Sequence, residues 1–162
     1  VEESGKTHKL LVGSLPERRM FIGEYSATID DKGRTSIPAK FRARLKSKVV
    51  VTRGLDRSLF LYPLDEWKKL AEKLASLPIS TANTRAFSRL MLAGAMDCDI
   101  DKQGRIIVPP YLKEFAGIEK RLVFAGLYNR LEVWSEDAWI TYKRATEQES
   151  TNIAEQLGDL GV

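Results

Sequence analysis

From Phe21 onward the apolar positions come in short bursts separated by polar breaks. Phe21-Ile22-Gly23-Glu24-Tyr25-Ser26-Ala27-Thr28-Ile29 puts Phe21, Tyr25 and Ile29 on one parity, the pattern of a strand with one buried face. Asp30 to Gly33 interrupts it as a turn, because an Asp side chain accepts local backbone N–H groups and Gly33 can take a positive φ. Arg34-Thr35-Ser36-Ile37 reads as the returning strand, stopped by Pro38. A short helical segment, Ala39 to Leu45, follows with Phe41 and Leu45 on one side. Val49–Thr52 and Ser58–Tyr62 then form a hairpin around Gly54-Leu55. At Asp65 the period changes to that of a helix, with Trp67, Leu70, Ala71, Leu74 and Leu77 on one face and Pro78 as its stop. Thr84 to Met91 reads as a second helix carrying Phe87, Leu90 and Met91.

The same order then recurs. Asp30-Asp31-Lys32-Gly33-Arg34 with Ile37-Pro38 returns as Asp101-Lys102-Gln103-Gly104-Arg105 with Val108-Pro109, 71 places later. Gly54-Leu55 matches Gly126-Leu127, and Trp67 matches Trp139, 72 places later. Ala95–Ile100, Arg105–Val108, Leu122–Ala125 and Leu131–Trp134 supply the second set of strands, and Ser135 can cap a helix beginning at Glu136. The segment from Thr151 to Val162 is more weakly patterned. Four short strands per copy do not make a stable sheet alone. Two copies around one core predict a mainly β fold with α-helices, an interleaved small barrel. The expected layout is a flexible extension at 1–19 and one pseudosymmetric domain at 20–162, with repeats at about 20–78 and 91–150 and a helical link at about 79–90. Trp67, Trp134 and Trp139 read as core or interface anchors.

Composition narrows the chemistry. Of 162 residues 43% are apolar and 30% charged, values of an ordinary globular chain, and no run approaches the length of a membrane span. Cys98 is the single cysteine and His8 the single histidine, which leaves neither a disulfide framework nor a multi-cysteine metal site. With no histidine in the patterned region and repeats that fall on turns, an enzyme is a poor reading, and no cofactor or metal is expected. Asp97 and Asp99 flank Cys98 and disfavour a thiolate. The net charge of +4 is uneven: residues 1–80 hold 16 Lys+Arg against 10 Asp+Glu, and residues 81–162 hold 10 against 12. A basic half points to a polyanionic partner, without separating nucleic acid from acidic protein or lipid.

Met20-Phe21, Gly23-Glu24-Tyr25, Ile29-Asp30-Asp31-Lys32-Gly33-Arg34 and Ile37-Pro38-Ala39 with Phe41-Arg42 resemble the start of the MraZ family. Asp101-Lys102-Gln103-Gly104-Arg105-Ile106-Ile107-Val108-Pro109 resembles that family's second repeat. The resemblance implies two AbrB/SpoVT-like swapped-hairpin units in one chain, forming a double-psi-like β-barrel and assembling into a ring-like homo-oligomer. It also implies a bacterial transcriptional regulator, cytoplasmic and nucleoid-associated, that binds double-stranded promoter DNA of the division and cell-wall gene cluster. The family's Asp-x-x-x-Arg signature falls on Asp30 and Arg34, then on Asp101 and Arg105.

Arg34 and Arg105 are the leading DNA contacts, since guanidinium offers paired donors to guanine or phosphate. Lys32 and Lys102 in the turns suit phosphate, and Arg42 and Arg44, with Lys46 and Lys48, extend the positive half. Asp30 and Asp101 can orient the arginines, with Gly33 and Gly104 permitting the turns. The same Asp–Arg pairs can equally be fasteners of the turns alone, and a structural oligomer with an incidental basic surface is the competing reading.

Overall fold

The computed structural model describes residues 20–162, so the expected extension at 1–19 lies outside the described residues. In chain order the elements are β1 (Phe21–Thr28), β2 (Arg34–Ser36), α1 (Ala39–Arg42), β3 (Lys48–Arg53), β4 (Leu59–Pro63), α2 (Leu64–Ala75) and α3 (Ala82–Ser88). A π-helical turn (Arg89–Ala93) leads to β5 (Met96–Asp99), β6 (Arg105–Ile107), α4 (Pro110–Phe115), β7 (Arg121–Tyr128), β8 (Leu131–Ser135), α5 (Glu136–Gln148) and α6 (Ser150–Gln156).

Six strands form one antiparallel sheet in the order β1-β7-β8-β4-β3-β5, and β2 pairs with β6 as a separate two-stranded ribbon. Exchanging the copies, β1 for β5 and β3 for β7, reverses this order onto itself. The sheet therefore has a pseudo-dyad between β4 and β8, and each copy lends its first strand to the other copy's third. Hydrogen bonds repeat the symmetry: Ile29 N donates to Lys120 O at 3.0 Å and Ile100 N to Ser47 O at 2.8 Å, while Val108 N donates to Gly33 O at 2.8 Å and Ile37 N to Gly104 O at 2.9 Å.

Two expectations are corrected. The strands form no closed barrel, for β1 and β5 are the edges of an open sheet. Nor does β2 return along β1: the bridge Ile29–Thr35 and a hydrogen bond from Thr35 Oγ1 to Thr28 O at 2.9 Å join them, and the ladder of β2 runs instead to β6. Both ribbon strands are three residues long and end just before Ile37-Pro38 or Val108-Pro109. Proline has no N–H to extend a ladder, so the ribbon stays short and the sheet stays open.

β4 is buried throughout, and β3 (49–52) and β7 (122–125) each bury a run of consecutive residues, because both faces of the sheet are covered there. Val49, Val51, Leu59, Leu61, Leu122, Phe124, Leu131 and Val133 face one core with Phe41 of α1 and Leu112 of α4. On the opposite face, Phe60 and Tyr62 meet Leu74, Trp67 and Leu70 of α2 and Met91 of the π-turn. In the second copy, Trp134 packs on Trp139 and Tyr142 of α5, with ring centroids 5.5 and 5.0 Å apart. Asp65 and Glu66 begin α2, where the helix dipole favours acid. Ser135 caps α5 as expected, its Oγ accepting from Ala138 N at 3.1 Å. No helix among the described residues is long and apolar enough to cross a membrane.

Candidate nucleic-acid interface

Each Asp-Gly-Arg turn is closed by one carboxylate. Asp30 Oδ1 accepts from Lys32 N at 3.0 Å and Arg34 N at 2.8 Å, and Oδ2 accepts from Arg34 Nε at 2.7 Å. Asp101 repeats this with Gln103 N at 2.9 Å, Arg105 N at 2.9 Å and Arg105 Nε at 2.9 Å. Gly33 and Gly104 complete the turns at φ +82° and +79°, where an L side chain is strained. Backbone N–H donation from the arginine, joined by its side chain, holds both carboxyls below the usual Asp range. The Asp–Arg pair is thus a fastener of the turn, and it also fixes the direction of the guanidinium.

The ribbon presents the two fixed arginines on one face. Its register sets Arg34 opposite Ile107, Thr35 opposite Ile106 and Ser36 opposite Arg105. Thr35 and Ile106 sit on the pseudo-dyad and are buried at 2% and 1% exposure. The alternate positions therefore face outward: Arg34 and Arg105 at diagonal corners, Ser36 and Ile107 between them. Each guanidinium is bound through Nε, and its terminal nitrogens have no hydrogen-bond partner among the described residues. Lys32 and Lys102 are exposed in the two turns. They are not equivalent, because the first turn reads Asp-Asp-Lys-Gly and the second Asp-Lys-Gln-Gly.

Arg42 and Arg44 are placed differently. Arg42 is half-buried, its Nε donates to Ile37 O at 2.8 Å, and its guanidinium lies over Gly104, where a Cβ would come within 2.2 Å of Nε. Arg44 has a side chain only 13% exposed, paired with Asp65 at 2.9 Å and Glu66 at 3.9 Å, and its enclosed Nε lacks an acceptor among the described residues. The structure thus gathers Lys32, Arg34, Lys102 and Arg105 at the ribbon and turns, and holds the side chains of Arg42 and Arg44 against the protein. Ser36 and Ile107 were not singled out by sequence, although their parity with Arg34 and Arg105 marks them as outward-facing.

Below the first turn is a cavity of about 310 Å³, lined by Asp31, Lys32, Gly33, Val108, Pro110, Lys113, Glu114 and Ile118. Lys113 is the counterpart of Arg42 in the second copy. Cys98, buried against Ile107 O with Asp97 and Asp99 beside it, has its thiol pushed up to about 11 by desolvation first and the two carboxylates second.

Comparison with known proteins agrees with the two-copy reading. The family model described as "MraZ protein, putative antitoxin-like" matches twice, at residues 20–90 and 91–160. A protein of Caldanaerobacter subterraneus subsp. tengcongensis named transcriptional regulator MraZ is 49% identical over 143 residues, 88% of this chain and all of the relative. Proteins of the same name from Thermoanaerobacter sp. and Halothermothrix orenii are each 50% identical over the same lengths. With both repeats matched in order and half of the aligned residues shared, the chain belongs to the MraZ family.

Proposed function

We propose that this protein is a sequence-specific DNA-binding transcriptional regulator of the bacterial division and cell-wall gene cluster, recognising repeated promoter boxes as a ring-like oligomer associated with the nucleoid. The observation that carries the reading is the outward face of the β2–β6 ribbon, where two arginines are aimed by carboxylates in a pseudo-symmetric pair. A two-stranded ribbon fits the major groove, and an arginine held through Nε keeps its terminal amino groups for a base edge. Lys32 and Lys102 then meet phosphates on either side. Arg42 and Arg44 support this surface from over the second turn and at the start of α2, adding to the positive field of that half. The names of the relatives support a role in transcription.

In the same reading residues 20–162 act as one domain. We read the exchange of β1 and β5 between the copies as the AbrB/SpoVT-like hairpin swap carried out within one chain, the basis of a double-psi-like arrangement. The test is the double variant Arg34→Ala, Arg105→Ala in gel shifts on the protein's own promoter, with one box and with several correctly phased boxes. Binding should fall at least a hundredfold while circular dichroism and mass stay unchanged, and the parent should bind several boxes far more tightly than one. Undiminished binding returns the chain to the class of structural oligomers, and equal affinity for one box and several removes the multivalent part.

A further inference from the structure

The pseudo-dyad makes two equivalent clefts whose charges are opposite. Each opens between the segment that enters a strand and the N-terminus of the helix that follows the hairpin. The first, about 310 Å³, is lined by Arg44, Lys46, Lys48 and Lys68 against a single acid, Asp65. The second, about 360 Å³, is lined by Glu119, Glu136 and Asp137 against Lys120 and Arg121.

Register proves the equivalence. Lys48 pairs with Asp99 of β5, and Arg121 with Thr28 of β1, the same place in the other copy. Counting back from these pairs sets Lys46 against Glu119, with buried Leu45 and Ile118 just before them. On the helices, Lys68 corresponds to Ile140 and Asp65 to Asp137.

Part of this charge is used internally. Arg44 is paired with Asp65, Lys48 with Asp97 and Asp99, and Arg121 with Glu136. Among the described residues, Lys46 and Lys68 of the first cleft form no ion pair, nor do Glu119, Asp137 and Lys120 of the second. The unpaired balance is positive on one cleft and negative on its structural twin. Leu64 in the first cleft and Ile140 beside the second are 40% and 36% exposed, which gives each an apolar margin.

We infer that the basic cleft of one copy receives the acidic cleft of another copy, Lys46 and Lys68 facing Glu119 and Asp137. Basic cleft on basic cleft, or acidic on acidic, would set like charges together, so a two-fold dimer through either is disfavoured. The contact is therefore head-to-tail, and every protomer keeps one cleft of each sign for the next. This deepens the oligomeric part of the proposed function and rests on it. Self-association is measured without DNA, so a failure here is distinct from a failure of Arg34 and Arg105 to bind it.

The test uses two variants of the full chain. Lys46→Glu with Lys68→Glu leaves both clefts acidic; Glu119→Lys with Asp137→Lys leaves both basic. In sedimentation velocity each variant alone should associate at least tenfold more weakly than the parent, and an equimolar mixture should regain the parent's mass as alternating copies. The parent's association should weaken as salt is raised. Should a reversal impair folding, the milder Lys46→Gln and Glu119→Gln must each shift the dissociation concentration at least threefold. Parent mass for each variant alone, or a mixture that stays dissociated, overturns the inference. So does loss of DNA binding by the Lys46→Glu, Lys68→Glu variant with its mass unchanged, which would make the basic cleft a phosphate site.

Discussion

The two Asp-Gly-Arg turns share their hydrogen bonds but not their surroundings. Gly104 lies beneath the Arg42 guanidinium, whereas Gly33 rests against Val108 O and borders an open cavity next to Lys113. The short helices correspond in place but not in sequence, Ala39-Lys40-Phe41-Arg42 against Pro110-Tyr111-Leu112-Lys113, and the last of these pairs bears on the turns. Arginine reaches across to bond Ile37 O and cover the second turn, while its counterpart lysine leaves the first turn uncovered on that side. The local sequence rule builds the turn, and the neighbouring copy sets how tightly it is held.

The largest break in this comparison is at the glycines. A Cβ on Gly33 would stand 2.5 Å from the backbone oxygen of Val108, which cannot swing away, whereas a Cβ on Gly104 meets a side chain that can. Gly33→Ala should therefore cost about 3 kcal/mol in urea unfolding, from strain and overlap together. Gly104→Ala should cost about 1–2 kcal/mol, and less again when Arg42→Ala is already present. Equal costs at the two sites would mean that the surroundings do not matter.

A smaller effect separates the copies in function. Arg34→Ala and Arg105→Ala taken singly should each weaken promoter binding by about 1–3 kcal/mol, the range for one good base contact. If the covered second turn aims its arginine better, Arg105→Ala loses more. Matched losses would make the two copies equivalent on DNA.

Smallest is the acid response. Both turn carboxyls titrate below the ordinary Asp value of 3.8, so their contribution is complete above that pH and is lost as pH falls through the lower folded value. Carboxyl chemical shifts of Asp30 and Asp101 should thus stay those of the ionised form down to about pH 4, the usual Asp range, then move together with the amide signals of Arg34 and Arg105. Ordinary titration at either residue would show that its turn is not fastened.

Much of this was legible in the chain. The doubled Asp-x-x-Gly-Arg string located both turns, the strands β3, β4, β7 and β8 follow from their apolar content, and β5 follows from its place before the second turn. What could not be read was which strand meets which. The partner of Arg34-Thr35-Ser36 is not its neighbour in sequence but β6 of the second copy, a long-range pairing that the local pattern does not carry. Arg42 and Arg44 were legible as charge but not as direction. Asp65, which captures Arg44, is 21 places away and carries no local signal, while Ile37 O is only five residues behind Arg42 and within reach of its helix. The opposed clefts could have been found by aligning the copies residue by residue, since Lys46 then falls on Glu119.

The exchange of first strands also governs how the chain must be made. β1 leaves the ribosome early, yet β7 lies roughly a hundred residues downstream, and β2 waits about seventy residues for β6. Until the second copy emerges, Phe21 and Thr35 have no partner strand, and the first half of the polypeptide holds one hairpin, β3–β4, with unpaired edges. Cutting the gene between its repeats would therefore yield two sticky fragments rather than two small domains, and production of the whole depends on nascent β1 being kept from strangers until its own partner arrives.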